Sequence, residues 1–441
     1  MKRVFIICLL LAAVPAHATN NQTSDIEALR QRLEQLQNHY EKELAVLRQQ
    51  LEQLNHNISA AEATSNEELD ERLGAIESDV DDLLMRQDSS GDSQATLDID
   101  MYATLEYENF ANTDSAFDAR NVELVVSGRM TDRLSGVAEI EFERLAESGG
   151  SSNRVGDVEV EQGWVEYYVN DAFKPRVGVI LVPFGSFNAE HFDVTQELVD
   201  KPLVMRRVIP VPWSEAGAGF NGEIRALNNI RITYDAYFIN GLTNHFSDTG
   251  LRDARGAFGN DNNGNKAFAG HVEVEPFTGL NIGFSGYTGN YGDSGNSGIT
   301  GLGLDFNYQW HALQFRGEYA RFDLDDGVEA DGITAAPQSF KGYYLETNYR
   351  FWPELLNDSV LSRGFSNPLL TLSLRYGMAS IDDDGDPGIG DNRERRWTIG
   401  LNYRPVPSYV FKLEYQFNNS RNEGLEHGDN DGFQFSASAA F

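Results

Sequence analysis

Ser-Tyr-Val-Phe-Lys-Leu-Glu-Tyr-Gln-Phe-Asn-Asn, residues 408–419, puts Tyr409, Phe411, Leu413, Tyr415 and Phe417 at one parity and Lys412, Glu414, Gln416 and Asn418 at the other. A period of two is that of a β-strand with two chemically different faces. Residues 368–379 repeat it, with Leu370, Leu372, Leu374 and Tyr376 against Thr371, Ser373 and Arg375. From Leu97 onward, alternation and turn residues predict strands at 97–107, 118–129, 133–143, 158–169, 174–182, 216–226, 229–240 and 265–275. They continue at 279–289, 298–309, 312–322, 339–350, 368–379, 394–404, 408–419 and 431–441, sixteen in all. Most have the length that a tilted strand needs to cross a bilayer, roughly 9–11 residues.

The connections alternate in length. Short ones fall at Thr131-Asp132, Asn170-Asp171, Leu227-Asn228, Pro276-Phe277-Thr278, Trp310-His311 and Pro405-Val406-Pro407. Long ones fall near 108–117, 144–157, 183–215, 241–264, 290–297, 323–338, 380–393 and 420–430, and one on the short side, about 351–367, breaks the rule. Membrane barrels keep short turns at one rim and long loops at the other, whereas a soluble sandwich has no reason to. Aromatics recur near strand ends (Tyr107, Phe110, Tyr167, Trp310, Tyr349, Phe351, Trp352), as interfacial girdles require, and the chain ends on Phe433, Phe435 and Phe441. The mean hydropathy of −0.42 fits, because alternating strands average to polar. The expectation is an all-β, 16-stranded antiparallel transmembrane β-barrel over 97–441.

Residues 1–18 read as a secretory signal peptide, with Lys2 and Arg3, an apolar run Val4–Val14 and the cleavage site Ala16-His17-Ala18. The only cysteine, Cys8, falls inside it, so the mature chain has neither disulfides nor a thiolate nucleophile. Apolar residues from Ile26 to Ile58 and from Leu69 to Leu83 recur at spacings of three and four. That heptad seam predicts a short α-helical coiled coil over 19–88, buried by self-association and facing the periplasm. Asp88–Gln94 has linker composition, and 89–96 joins the two parts.

The formal net charge of −33, with seven lysines, excludes a nucleic-acid partner, because phosphate binding needs a basic face. No local signature pairs a nucleophile with a base, so an enzyme is not expected. Neither is a cofactor or a metal. The eight histidines lack ligand spacing, and Asp382–Asp386 and Asn260–Asn265 are incomplete fragments of calcium loops.

Lys174–Arg225 is the stretch the rest is arranged around. A strand with Val177, Val179 and Leu181 breaks at Pro183-Phe184-Gly185, and no strand pattern returns until about Ala216. The connection holds His191, Lys201, Arg206, Arg207 and Trp213 beside Glu190, Asp193, Glu197, Asp200 and Glu215. It is too rich in aromatic and aliphatic residues for a disordered loop, and structureless connections this long are usually functional. Val-Gly-Val-Ile-Leu-Val-Pro-Phe-Gly (177–185), the long third loop, the leader and the terminal Phe together resemble the phosphate-selective porin O and P family. The resemblance covers 97–441 in architecture and is specific in motif around Arg176–Gly219. It implies an inward-folding third loop, a homotrimer and assembly directed by the terminal aromatic. The setting it implies is a Gram-negative outer membrane, with its lipid and lipopolysaccharide. Its implied function is passive diffusion of small hydrophilic solutes, including anions such as phosphate.

No family site residue maps onto this sequence, so pore candidates come from parity. The polar parity carries Arg129, Arg231, Arg316, Arg350, Arg375 and Lys412. The acids there are more numerous: Asp98, Asp100, Glu106, Glu123, Glu139, Glu141, Glu166, Asp235, Glu273, Asp305, Glu318, Glu346 and Glu414. A lattice of paired wall charges therefore explains this face better than a selective ladder, with Arg316 pairing among the neighbours of Glu318. The candidates for constriction and selectivity are Lys201, Arg206 and Arg207 in the loop, with Arg316, Arg350 and Arg375 on the wall. The alternative is a plugged barrel that anchors the coiled coil to the envelope.

Overall fold

The computed structural model describes residues 95–143, 157–226, 230–246, 250–256, 258–259, 261–293, 295, 297–330, 332, 334–382, 392–422 and 430–441. The expected signal peptide, coiled coil and all but the last two residues of the linker lie outside these residues.

The first eight strands are β1 (Thr96–Phe110), β2 (Ala116–Thr131), β3 (Leu134–Glu143), β4 (Asp157–Tyr167), β5 (Lys174–Leu181), β6 (Ser214–Arg225), β7 (Arg231–Ile239) and β8 (Ala267–Phe277). The second eight are β9 (Leu280–Asn290), β10 (Gly298–Trp310), β11 (Leu313–Leu324), β12 (Ser339–Phe351), β13 (Leu369–Asp382), β14 (Asn392–Val406), β15 (Tyr409–Asn422) and β16 (Gly432–Ala440). Each pairs antiparallel with its neighbours in sequence, and β1 pairs with β16 from Tyr102↔Ala440 to Phe110↔Gly432, so the sheet closes. Closure gives every strand two neighbours, the condition for a sheet surrounded by lipid. Every predicted strand is present, most with ends moved by one to three residues.

The two parities separate as the sequence implies. Phe117 (73 % exposed) and Leu302 (70 %) head a set of outward apolar side chains that includes Leu374, Leu413 and Phe417. Thr371, Ser373, Arg375, Lys412, Glu414 and Gln416, at the other parity, are buried. An apolar belt over a closed sheet is stable only in contact with hydrocarbon. Tight turns serve the short rim. His311 at φ 53° and Gly279 at φ 94° supply the left-handed backbone that two-residue hairpins need. At the seam, Phe441 and Met101 exchange backbone hydrogen bonds of 2.9 and 3.3 Å.

Residues 182–213, between β5 and β6, contain two 3-10 turns (Phe187–Glu190 and Asp193–Thr195) and one short helix, α1 (Leu203–Arg207). Its apolar residues Phe184, Val204, Met205, Val208 and Trp213 are fully buried, in one cluster with Tyr237, Tyr287, Phe322, Phe340 and Tyr344 of the strands. Phe184 meets Phe322 at 4.8 Å between ring centroids, and Trp213 meets Tyr287 at 5.3 Å. The hydrophobicity that set this segment apart in the sequence is thus spent on a core of its own.

Leu374, near the middle of β13, tests the face assignment. Leu374→Arg should cost about 2–4 kcal/mol in urea titrations of barrel folded into lipid vesicles, the range for a cation on the lipid face near the midplane. An unchanged transition would contradict the outward placement.

Candidate functional site

The strand-to-segment break is built by Pro183-Phe184-Gly185. Gly185 adopts φ +74°, and a Cβ there would lie 2.1 Å from a Glu318 carboxylate oxygen. The close approach is used: Gly185 N–H donates to Ser285 Oγ (2.9 Å), while Glu318 accepts from Phe187 N–H (2.7 Å) and Ser186 Oγ–H (2.9 Å). Glycine is required here both for its positive φ and for its missing side chain.

Beyond this anchor the segment meets a basic wall. Arg316, Glu346 and Arg375 lie in register on β11, β12 and β13. Glu346 binds Arg316 Nε at 2.9 Å and Arg375 Nη1 at 3.4 Å. Their remaining donors go to the segment: Arg316 Nη2 to Gln196 Oε1 (2.7 Å) and Arg375 Nη2 to the Asp200 carbonyl (2.6 Å). Glu197 accepts from Arg350 (3.1 Å), Asn402 (2.7 Å) and Arg404 (3.4 Å). Asp200 Oδ2 binds Arg206 Nη1 at 2.8 Å and is also bound by Arg396. Lys412 donates to the carbonyls of Asp193 (2.6 Å) and Leu198 (3.2 Å), and the Val199 N–H donates to Glu414 (2.6 Å).

The opposite charge meets the segment at β2–β4. His191 Nε2 lies 2.6 Å from Glu161 Oε2 and 3.3 Å from Glu139 Oε1, with all three side chains buried. Lys201 feels the nearby carboxylates of Asp193, Glu141 and Glu161. In a ring of sixteen, β3 and β11 stand half a turn apart (11 − 3 = 8). Yet His191 reaches β3 and Gln196, five residues on, reaches β11.

The loop carboxylates take their protonation behaviour from this setting. Burial alone would raise Glu197, but Arg404 and Arg350 outweigh it and hold the carboxyl below its usual range. Asp200 behaves likewise: burial opposes ionisation, while Arg206 and Arg396 lower the carboxyl strongly. For Lys201 burial dominates and lowers the ammonium, against the raising effect of Asp193.

The six sequence candidates therefore sit in three settings. Arg316, Arg350 and Arg375 hold carboxylates and segment backbone. Arg206, about half exposed, and Arg207, bound to Glu394 at 2.7 Å, border a cavity of about 340 Å³ with Asp200 and Arg396. Lys201 faces the acidic wall instead of joining them. Arg316 pairs with Glu346 on the next strand. The sequence reading passed over Arg396 and Arg404, although both share the parity of Thr398 and Asn402 and oppose Trp397 and Leu401. It also passed over Glu161, for which alternation gives no signal. A β-bulge opposite Glu139–Ile140 shifts the register so that Glu161 is buried while Val160 and Val165 on either side are exposed. Bulges commonly re-aim a side chain in this way. Of the calcium-like fragments, Asp261 caps the Asn263 and Gly264 N–H groups (3.2 and 3.1 Å) and binds Lys266, while 383–386 lie outside the described residues.

Residues 94–308 match the family model described as phosphate-selective porin O and P. The match runs from β1 into β10 and contains all of 182–213. A protein of Aquifex aeolicus is 23% identical over 334 residues, covering 71% of this chain and 74% of its own length. Salmonella typhi OmpF, solved in complex with daunomycin, shares 11% identity at a TM-score of 0.54, over 78% of this chain and 97% of that one. The outer membrane channel DcaP of Acinetobacter baumannii (13%, TM-score 0.50, 80% and 99%) and an anion-selective porin from Comamonas acidovorans (11%, 0.50, 79% and 100%) are similar in the same way. At such identities the likeness is one of fold. The fold is that of a porin-type barrel.

Carboxylates with lowered pKa values add stability above their ordinary range, about pH 4, and lose it as pH falls through the lowered values. Bonding through Glu197 and Asp200 should therefore be constant from pH 8 to about pH 5 and fail only on further acidification. Single-channel conductance should follow, flat and then rising; a rise already near pH 7 would contradict the assignment.

Proposed function

We propose that the protein is an outer-membrane porin through which small hydrophilic solutes, anions such as phosphate among them, diffuse down their gradients. The observation that carries this reading is the closed sixteen-strand ring with an apolar outer and a polar inner face. About 16 strands enclose an aqueous channel unless something fills it. A segment bonded to β3 and to β11 from their polar faces lies across that channel, and we assign it as the inward-folded third loop and constriction. Wall arginines spent on Glu346, Glu197 and Asp200 build the constriction more than they attract solute. Arg206 and Arg207 are left beside open space as the groups that act on a passing anion. The matched family supports phosphate as a permeant ion.

We extend the same proposal to the N-terminal residues on their sequence pattern alone. Residues 1–18 direct export, and 19–88 form a periplasmic coiled coil that clamps a homotrimer in the lipid and lipopolysaccharide of the outer membrane. A Vibrio cholerae outer membrane protein of this fold, OmpT, has been solved in a trimer form (12% identity, TM-score 0.50). The density of bonds between segment and wall favours one second reading, a barrel plugged at this level that anchors the coiled coil.

Planar-bilayer recording separates the two. Stable steps whose reversal potential under a chloride gradient favours anions, and which phosphate blocks, are expected. Arg206→Ala combined with Arg207→Ala should move that potential toward cations. An unchanged potential removes the two arginines from the role, and no conductance at all establishes the plug.

A further inference from the structure

The porin reading uses the basic wall and leaves the acidic one unexplained. Glu123 on β2, Glu139 and Glu141 on β3 and Glu161 on β4 are all buried, and His191 comes down on them from the segment. One ligand atom each from Glu123, Glu139 and His191 fits within 4.8 Å of the others. Four carboxylates, with Asp193 beside them, face one imidazole and two cations, Lys201 and Arg120, so ionised they hold an excess of buried negative charge. Such charge must be met by protons or by a cation.

The donors are poised outward from their supports. Glu123 Oε1 and Glu141 Oε1 are held by Asn121 Nδ2 (2.5 and 2.9 Å), and Glu139 Oε2 by Gln162 Nε2 (2.5 Å). Their other atoms behave differently: buried Glu123 Oε2 and Glu139 Oε1 accept no hydrogen bond, and the Glu161 carboxylate meets the imidazole and the Glu141 carboxyl. His191 Nδ1 lies 3.1 Å from the Asn188 carbonyl, which can only accept, so Nδ1 carries a proton. Nε2 then points into the cluster and shares a proton with Glu161 at 2.6 Å; a bound cation would displace that proton, as at metal-binding histidines whose Nδ1–H is held by a carbonyl. The ring is fixed by stacking on Phe192 (4.6 Å between centroids), which stacks on Tyr102 (4.4 Å).

We infer that Glu123, Glu139, Glu161 and His191 form a binding site for a first-row divalent cation of the Zn²⁺ type, which staples residues 182–213 to β2–β4. An imidazole among carboxylates selects such an ion over Ca²⁺, which takes oxygen donors alone. Ligands of a tetrahedral ion with bonds of about 2.0–2.1 Å stand about 3.3 Å apart. His191 Nε2 and Glu139 Oε1 already have that separation, 3.3 Å, and Glu161, at 2.6 Å, would move back by about 0.7 Å. The bulge turns Glu161 inward beside the other three donors, against His191, from where it would complete the set.

The test needs no channel activity. Purified full-length protein is stripped with chelator, equilibrated against graded Zn²⁺ and assayed for bound metal by mass spectrometry. His191→Gln and Glu161→Gln are compared with it, each first checked for folding by heat-modifiable gel mobility. Wild-type protein should bind one Zn²⁺ per chain more than either variant, with the affinity of that site reduced at least 100-fold. Histidines elsewhere, including His39 and His56, are common to all three proteins and cancel. Glu161→Gln keeps size and hydrogen-bonding capacity, so it carries the test if His191→Gln does not fold. Equal zinc content and affinity in wild type and folded variants would overturn the site and leave the cluster as an imidazolium–carboxylate contact.

Discussion

One segment of chain is bonded on one side to arginines and on the other to carboxylates, and the interior of the barrel is organised by that pairing. Glu197 and Asp200 meet Arg350, Arg396 and Arg404, whereas His191 and Lys201 face Glu139, Glu141 and Glu161. Neither wall is stable alone once its charges are buried. Like charges side by side on neighbouring strands repel, and desolvation makes each unpaired ion costly. Residues 182–213 offer each wall its opposite charge. That explains why a strongly acidic chain buries so many arginines at one level: they are structural counter-ions, and few are left to bind solute.

The apolar half of the segment answers a different constraint. A charged strap alone would exchange its partners with water and salt, since ion pairs that solvent reaches contribute little. Trp213, Phe184 and α1 wedge against Phe322, Tyr287 and Phe340, excluding water and fixing the backbone from which Glu197 and Asp200 project. The Gly185 turn over Glu318 sets the direction in which the chain leaves β5. Packing and charge thus support one another, as in other sites where polar groups are held by a rigid shell.

Much of this was legible in the sequence, for a physical reason. A lipid-facing strand must alternate, so Tyr409–Phe417 announces both its conformation and its outward face, and the same rule finds all sixteen strands. Pro183-Phe184-Gly185 announced the break because proline and positive-φ glycine end a strand locally. Roles fixed across the ring are a different matter. Lys201 reads as a partner for Arg206 and Arg207 because it is near them in sequence, but the chain turns between them and leaves it among acids. His191 shows no ligand spacing along the chain, since its neighbours arrive from β2, β3 and β4. Glu161 was hidden by a bulge, which breaks the alternation used to read it. Arg396 and Arg404 were readable by parity, and only their partners in the segment required the structure.

The central claim is that charge pairing holds residues 182–213 in place. The sequence has a single cysteine, in the stretch read as the signal peptide, so one engineered thiol can report on the segment. Val204→Cys replaces a fully buried side chain of α1, and its labelling by a small charged maleimide would be followed in folded protein. The account predicts slow labelling in this background and labelling at least ten times faster once Glu197→Gln and Asp200→Asn are added. Equal rates in the two proteins would mean that the ion pairs do not hold the segment, and the account would fail.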